Sequence, residues 1–258
     1  MDSPIVRDLV TAGVMLVSLL AVYLVRRFLK PEELRENNEF TGFTWAFVGL
    51  VYGVYLAFTV VVVWEHYQDA DNTATNEATH LSELWRDAEV LPGGRQVQDG
   101  LYAYAKSVVE DDWPAMAHGG SPNTSAAYEG LWRAYYQLRP SASDPVQVGF
   151  YQQSLRQLNE LGIQRRQRIL SGSANLPAVM WFLLVTGGMV MVGFALVIGT
   201  PHAWLQYTVT ALLAGFLAFS IAIVGALEQP YSGDVSIHPE AFASVMKSFE
   251  ARRAAQHP

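Results

Sequence analysis

Glu65 and Asp69 stand one helical turn apart, directly after a run, residues 43–64, that carries no charge. Carboxylates at i and i+4 share one face of a helix. Rings of such groups around an axis favour cations. This is the sharpest chemistry that the residue types offer. Glu77 and His80 have the Glu-x-x-His spacing of di-iron bundles, but those need a second such motif on a facing helix, and the chain has none. A solvated helix face is the expected role of that pair. Asp111 and Asp112, before Trp113, could bind a cation or simply form an acidic helix end. His66 beside Glu65 could titrate near neutral pH as a gate sensor, although an interfacial histidine without that role is commoner. There is no Gly-rich phosphate loop, no Ser-His-Asp order and no HExxH. Without cysteine there is no thiol nucleophile, Cys-ligated zinc or iron–sulfur cluster. No catalytic set, metal or cofactor is expected, and the chain does not read as an enzyme.

The elements that position these groups follow from composition. Of 258 residues, 51% are hydrophobic and 16% charged, against about 25% charged in soluble domains. Mean hydropathy is +0.15, and the excess sits in four apolar runs, residues 9–25, 43–64, 176–198 and 205–227. A membrane-crossing helix needs roughly 20 apolar residues, so all four read as spans; the first, the shortest, lacks the basic start and cleavage site of a signal peptide. Trp45, Trp64, Trp181, Trp204 and Tyr207 fall near the expected water–lipid boundaries. Pro201-His202 makes a tight reversal, so the last two spans form an antiparallel hairpin. The net charge of −7 argues against nucleic acid as a partner.

Between the second and third spans the pattern is helical throughout. A helix from 66 to 91 stops at Pro92-Gly93-Gly94, and another covers 95–113 until Pro114. After a loop at 119–125, Thr124 or Ser125 could cap a helix over 126–138; Ser143-Asp144-Pro145 opens the last, with Tyr151, Leu155, Leu158 and Leu161 on its buried face. The expected fold is an all-α integral membrane protein, four transmembrane helices with a helical insertion between the second and third. The corresponding parts are a first pair (1–64), the insertion (65–172), a second hairpin (173–228) and a polar C-terminal tail (229–258). Both termini and the insertion then share one side of the membrane. Arg26, Arg27, Lys30 and Arg35 in the opposite loop favour an external insertion by the positive-inside rule; Arg165, Arg166, Arg168, Lys247, Arg252 and Arg253 argue the reverse.

If residues 43–91 form one helix, about 100° per residue places Phe47, Val51, Val54, Phe58 and Val61 on a stripe, with Leu50 at its edge. Glu65, Asp69, Asn72, Asn76, His80 and Glu83 continue it. The opposite face outside the membrane is Tyr67, Ala70, Ala74, Ala78, Leu81 and Trp85. Inside the membrane the back face holds Ala46, Gly49, Gly53 and Ala57, where Gly49 and Gly53 would admit a close helix contact. Ala214, Ala218, Ala222 and Ala226 form a second packing seam. Around a symmetry axis the stripe makes an apolar constriction opening into an acidic vestibule. The plain alternative is a stripe that faces lipid inside the membrane and solvent outside it.

Gly53-Val54-Tyr55-Leu56 followed by Trp64 resembles the pore-helix region of bestrophin channels. Gln229-Pro230-Tyr231-Ser232-Gly233-Asp234 resembles their Asn-Pro-Phe-Gly stretch. Nearly the whole chain resembles the bacterial bestrophin-like domain family: Glu77-Ala78, Leu91-Pro92, Asp112-Trp113-Pro114, Arg165-Arg166 before Leu176-Pro177, and Pro239-Glu240-Ala241-Phe242 carry the match. The resemblance implies a homo-oligomeric ion channel, pentameric in bestrophins, in the bacterial inner membrane, with its second span lining the pore and its insertion in the cytoplasm. Carried over, the constriction falls at Leu50 and Val54, with Ala46 a turn earlier. Two departures stand out. Leu, Val and Ala replace bulky aromatics at the constriction, and the calcium-binding acidic run is reduced to Asp234 and Glu240.

Two functions follow as expectations. One is a channel for inorganic cations with Phe47, Leu50, Val54 and Phe58 as constriction and Glu65 and Asp69 as mouth, its conductance falling as pH drops. The other is a membrane-anchored sensor or scaffold whose insertion binds a ligand or partner protein. Membrane lipid is a partner in either case. The spans hold no acidic or basic residue for intramembrane catalysis.

Overall fold

The computed structural model describes residues 4–29, 31–173, 175–233 and 235–255. Lys30 and Asp234, counted above, lie outside them. Among the described residues there is no strand. The helices are α1 (Pro4–Phe28), α2 (Pro31–Arg35), α3 (Asn38–Val90), α4 (Gly94–Ser107), α5 (Pro122–Gln137), α6 (Pro145–Ser171), α7 (Ala178–Val197), α8 (Ala203–Leu227) and α9 (Glu240–Ala255). Four of them, α1, α3, α7 and α8, are long and apolar enough to cross a membrane. The protein is an all-α membrane protein. Its contacts group into two units, and α3 contributes to both.

The first unit contains α1, α2, α3 up to Glu65, α7 and α8. One end is tied by polar side chains, where apolar packing has run out. The Asn38 amide donates to the Gly199 carbonyl at 2.7 Å and accepts from its N–H at 2.9 Å. Gln206 donates to the Leu196 carbonyl at 3.0 Å and accepts from Arg26 at 2.8 Å. The turn between α7 and α8 therefore shares an end with the α1–α3 connection, as four alternating spans require. At the opposite end the Glu228 carboxylate accepts from the Leu176 N–H at 2.6 Å and the Trp181 indole at 3.1 Å.

The second unit holds the rest of α3, α4, α5, α6 and α9 around a core of Trp85, Tyr104, Tyr135, Phe242 and Phe249. Three elements differ from the sequence expectation. Residues 95–113 are not one α-helix: after Ser107 the chain widens into a π-helical turn, Val108–Asp112, then tightens into a 3₁₀ helix, Trp113–His118. Pro114 sits in that first turn, where its missing N–H needs no partner. The cap of α5 is Ser121, whose hydroxyl accepts from the Asn123 N–H at 3.2 Å, not Thr124 or Ser125, because Pro122 already starts the helix. The C-terminal segment is not simply a polar tail: Phe242 and Phe249 of α9 are buried, and Phe249 stacks on Trp85 at 4.0 Å. Asp144 caps α6 by accepting from the Val146 and Gln147 N–H groups, as its Asp-Pro start predicts.

Candidate functional site

Within the first unit α3 packs through Trp45, Val48, Tyr52 and Leu56, against Met191 of α7 and Leu217 of α8 among others. The Tyr52 hydroxyl donates to the Leu184 carbonyl at 3.0 Å, and that of Tyr55 to the Met180 carbonyl at 2.9 Å. Thr59 and Val63, further along the same face, are buried. Taking Phe47 as zero, these packed positions span roughly 80–180°. The stripe lies on the other side of the helix: Phe47, Leu50, Val51, Val54, Phe58 and Val61 are 48–69% exposed. The sequence-derived back face is split. Gly49 packs, with Met191 Cε 3.0 Å from where a Cβ would stand, whereas Gly53 has nothing within 4 Å, and Ala46 and Ala57 are exposed. Ala214 and Ala222 of α8 are buried and Ala218 partly so.

In the second unit α3 buries Ala70, Ala74, Ala78, Leu81 and Trp85, the face that the sequence picks out as built to pack. Asp69, Asn72 and Asn76 are exposed, as is Glu65 at the end of the first unit. His80 and Glu83, at the far end of the stripe, are half-buried: the His80 ring lies 2.6 Å from Gln157 Oε1 and 3.2 Å from Glu83. Glu77 and His80 are not brought together, and no cluster of three or more metal-capable side chains occurs among the described residues.

Glu77 and Asp112 converge instead on Arg168 of α6. All three side chains are fully buried. Arg168 Nε donates to Glu77 Oε2 at 2.7 Å, and its Nη2 to Asp112 Oδ2 at 2.7 Å. Nη1 reaches Met116 Sδ at 3.0 Å, and the Tyr104 hydroxyl donates to Glu77 Oε1 at 2.5 Å. The second Asp112 oxygen accepts from the Ser121 N–H at 2.6 Å. That approach needs Gly120: its φ is +80°, and a Cβ there would stand 2.7 Å from Asp112 Oδ1. The π-helical turn supplies the geometry, since its extra residue turns both Val108 and Asp112 inward. Asp111 stays half-buried, accepting from Ser107 at 2.8 Å. The cation role considered for the Asp pair thus fails for Asp112: a guanidinium already occupies that carboxylate.

Aromatic rings wall this centre. The Arg168 guanidinium lies 5.5 Å from the Trp113 ring and 5.8 Å from that of Phe242. Trp113 meets Tyr231 edge-on at 5.3 Å and donates to the Ile237 carbonyl at 3.0 Å; the Tyr231 hydroxyl donates to the Ala70 carbonyl at 2.9 Å. Burial alone would lower the pKa of Arg168, but Glu77, then Tyr104 and Asp112, raise it overall, and it stays charged. Burial first, then Glu77, holds the Tyr104 phenol well above its usual range. Two carboxyl groups flank the one guanidinium, and the Tyr104 hydroxyl and the Ser121 N–H donate to their remaining oxygens. Sequence reasoning counted Arg168 only as a surface charge. One signal was present: Arg168 lies seven residues after Leu161, on the buried stripe of α6.

Five of the residues that carried the resemblance, Glu77, Asp112, Trp113, Tyr231 and Phe242, therefore gather around one cation. A family model described as the Bestrophin-like domain matches residues 12–242. Solved structures of a bacterial bestrophin homologue from Klebsiella pneumoniae share the fold. One phased on zinc is 13% identical with a TM-score of 0.71, covering 96% of this chain and 99% of that one. Two single-substitution variants give TM-scores of 0.71 and 0.73 at 12% and 13% identity, each covering 93% of this chain. No curated protein matches it in sequence.

Proposed function

The chain belongs to the Bestrophin-like family, and from that membership we propose that it is a homo-oligomeric ion channel in a bacterial cell membrane, its pore lined by α3. The observation that carries the reading is the stripe of α3 opposite its packed face. It stays uncovered within one chain, bulky and apolar over Phe47–Val61, and is followed at the same helical azimuth by exposed Glu65 and Asp69. Copies of this stripe around an axis form rings. Phe47, Leu50, Val54 and Phe58 make a constriction that gates by dewetting, and the carboxylate rings select inorganic cations. Ala46, Gly53 and Ala57 flank the stripe, and small side chains there let the α3 helices of adjacent copies approach closely. The second unit is cytoplasmic in this reading. Arg168, being buried and paired, no longer counts among the charges that bear on orientation.

Planar-bilayer recording tests both levels. Purified protein gives cation-selective currents, and Glu65→Gln with Asp69→Asn reduces conductance and selectivity. Unaltered currents in the double variant remove the acidic rings from the mechanism; no ion flux at all removes the channel. A second reading, a membrane-anchored sensor, rests on a cleft of about 350 Å³ in the second unit, lined by Tyr67, Asp71, Thr75, Trp113, His238 and Glu240. It predicts silent liposomes.

A further inference from the structure

A cleft of about 480 Å³ opens between α1, α7 and α8 in the first unit, within the range of about 300–1,000 Å³ of small-molecule sites. Its α1 wall runs from Val10 to Ala21, its α7 wall from Trp181 to Leu196 and its α8 wall from Ala214 to Ala222. At 1.5 Å per residue these walls are about 16, 22 and 12 Å long. One leaflet of hydrocarbon is about 15 Å deep, half of the roughly 30 Å that a complete transmembrane helix must cross. The cleft therefore has the length of an acyl chain, not that of a neighbouring span. Its chemistry agrees. The lining is almost wholly aliphatic, and its one hydroxyl, Ser18, is spent on the Met15 carbonyl at 2.7 Å. Val14 and Met189 on its walls are exposed, so the cleft is open from the side.

One end of the α1 wall carries a charge. Arg7 lies three and seven residues before Val10 and Val14, on the same stripe, in the first turns of α1. Arg7 starts one turn beyond the Val10 end of the α1 wall, and its guanidinium turns against α8 beside the cleft. It lies 5.9 Å from the Phe219 ring, and Nε is buried without a hydrogen-bond partner among the described residues. The carboxylate of Asp8, at 3.8 Å, is a loose and exposed partner.

We infer that this cleft binds one anionic phospholipid, with an acyl chain along the valine face of α1 and the headgroup phosphate on Arg7. The site is independent of whether α3 lines a pore. Native mass spectrometry of protein equilibrated in mild detergent with phosphatidylglycerol or phosphatidylcholine tests it. About one phosphatidylglycerol per subunit is retained in preference to phosphatidylcholine, and Arg7→Gln reduces that preference about fivefold, the worth of one basic side chain at a lipid surface. Gly193→Phe fills the cleft, because nothing stands within 4 Å of a Cβ there. It abolishes retention of both lipids without changing helicity or particle size. Ala218→Phe does the same from the α8 wall and serves if the first variant fails to fold. Equal retention of the two lipids with no effect of Arg7→Gln overturns the headgroup assignment. Unchanged retention in both filled variants overturns the site. Loss of the oligomer on filling, with no lipid retained by the wild type, shows that a second copy's helix occupies the cleft instead.

Discussion

Arg168 ties together the buried polar centre of the second unit. Replacing it with methionine keeps the packing volume but leaves Glu77 and Asp112 buried without a cation. Breaking a buried pair in this way costs about 3–5 kcal/mol. Thermal unfolding in detergent, followed by tryptophan fluorescence, should show a large fall in midpoint for Arg168→Met. Adding Glu77→Gln and Asp112→Asn should restore much of it; a single variant that melts like wild type would show that the network contributes nothing. The phenol of Tyr231 gives a pH signature. Burial, the largest cause, pushes it from 10.0 up to about 12. The folded state thus favours the neutral phenol: the stabilisation is complete below about pH 10 and disappears as pH rises through about 12. Base titration of the folded protein should show a loss of stability across that window, smaller in Tyr231→Phe. An identical alkaline transition in the variant would assign the effect elsewhere.

At the scale of the element, α3 meets one glycine of α7 and presents one of its own, with opposite surroundings. A Cβ on Gly187 of α7 would stand 2.4 Å from the Tyr52 ring, whereas Gly53 faces open space. Gly187→Leu must displace Tyr52 and forfeit its bond to the Leu184 carbonyl, an overpacking cost of about 1–3 kcal/mol. Gly53→Leu leaves the single chain undisturbed and blocks close approach by another helix. The expected contrast is a lower melting temperature for Gly187→Leu with its oligomer intact, and an unchanged helical signal for Gly53→Leu with a smaller particle by light scattering. If Gly53→Leu retains the wild-type mass, Gly53 is not at the seam between copies.

For the whole molecule, the channel reading requires a ring. Electron microscopy of the detergent-solubilised particle should reveal a rotational axis with α3 innermost; a 28.6 kDa monomer would end the proposal. The cysteine-free sequence makes orientation directly measurable. A single cysteine at exposed Asn123 should resist a membrane-impermeant maleimide in intact cells and react after lysis; labelling of intact cells would place the second unit outside.

The spans, the continuous α3 with its packed outer face, the corner at Pro92-Gly93-Gly94 and the start of α6 were all legible in the sequence. Each depends on neighbours within a turn or two: apolar run length, helical period, a proline, a capping aspartate. The Arg168 centre was not legible, because Glu77, Asp112 and Arg168 come from distant points in the chain, and their charges were read as solvated. Local pattern likewise grouped Gly53 with Gly49, whereas within one chain Tyr52 and Thr59 are buried and Gly53 is exposed. Periodicity fixes which side chains share a helix face. Which face is covered depends on where the other helices lie, and burying a charge depends on a partner that only folding brings within 3 Å.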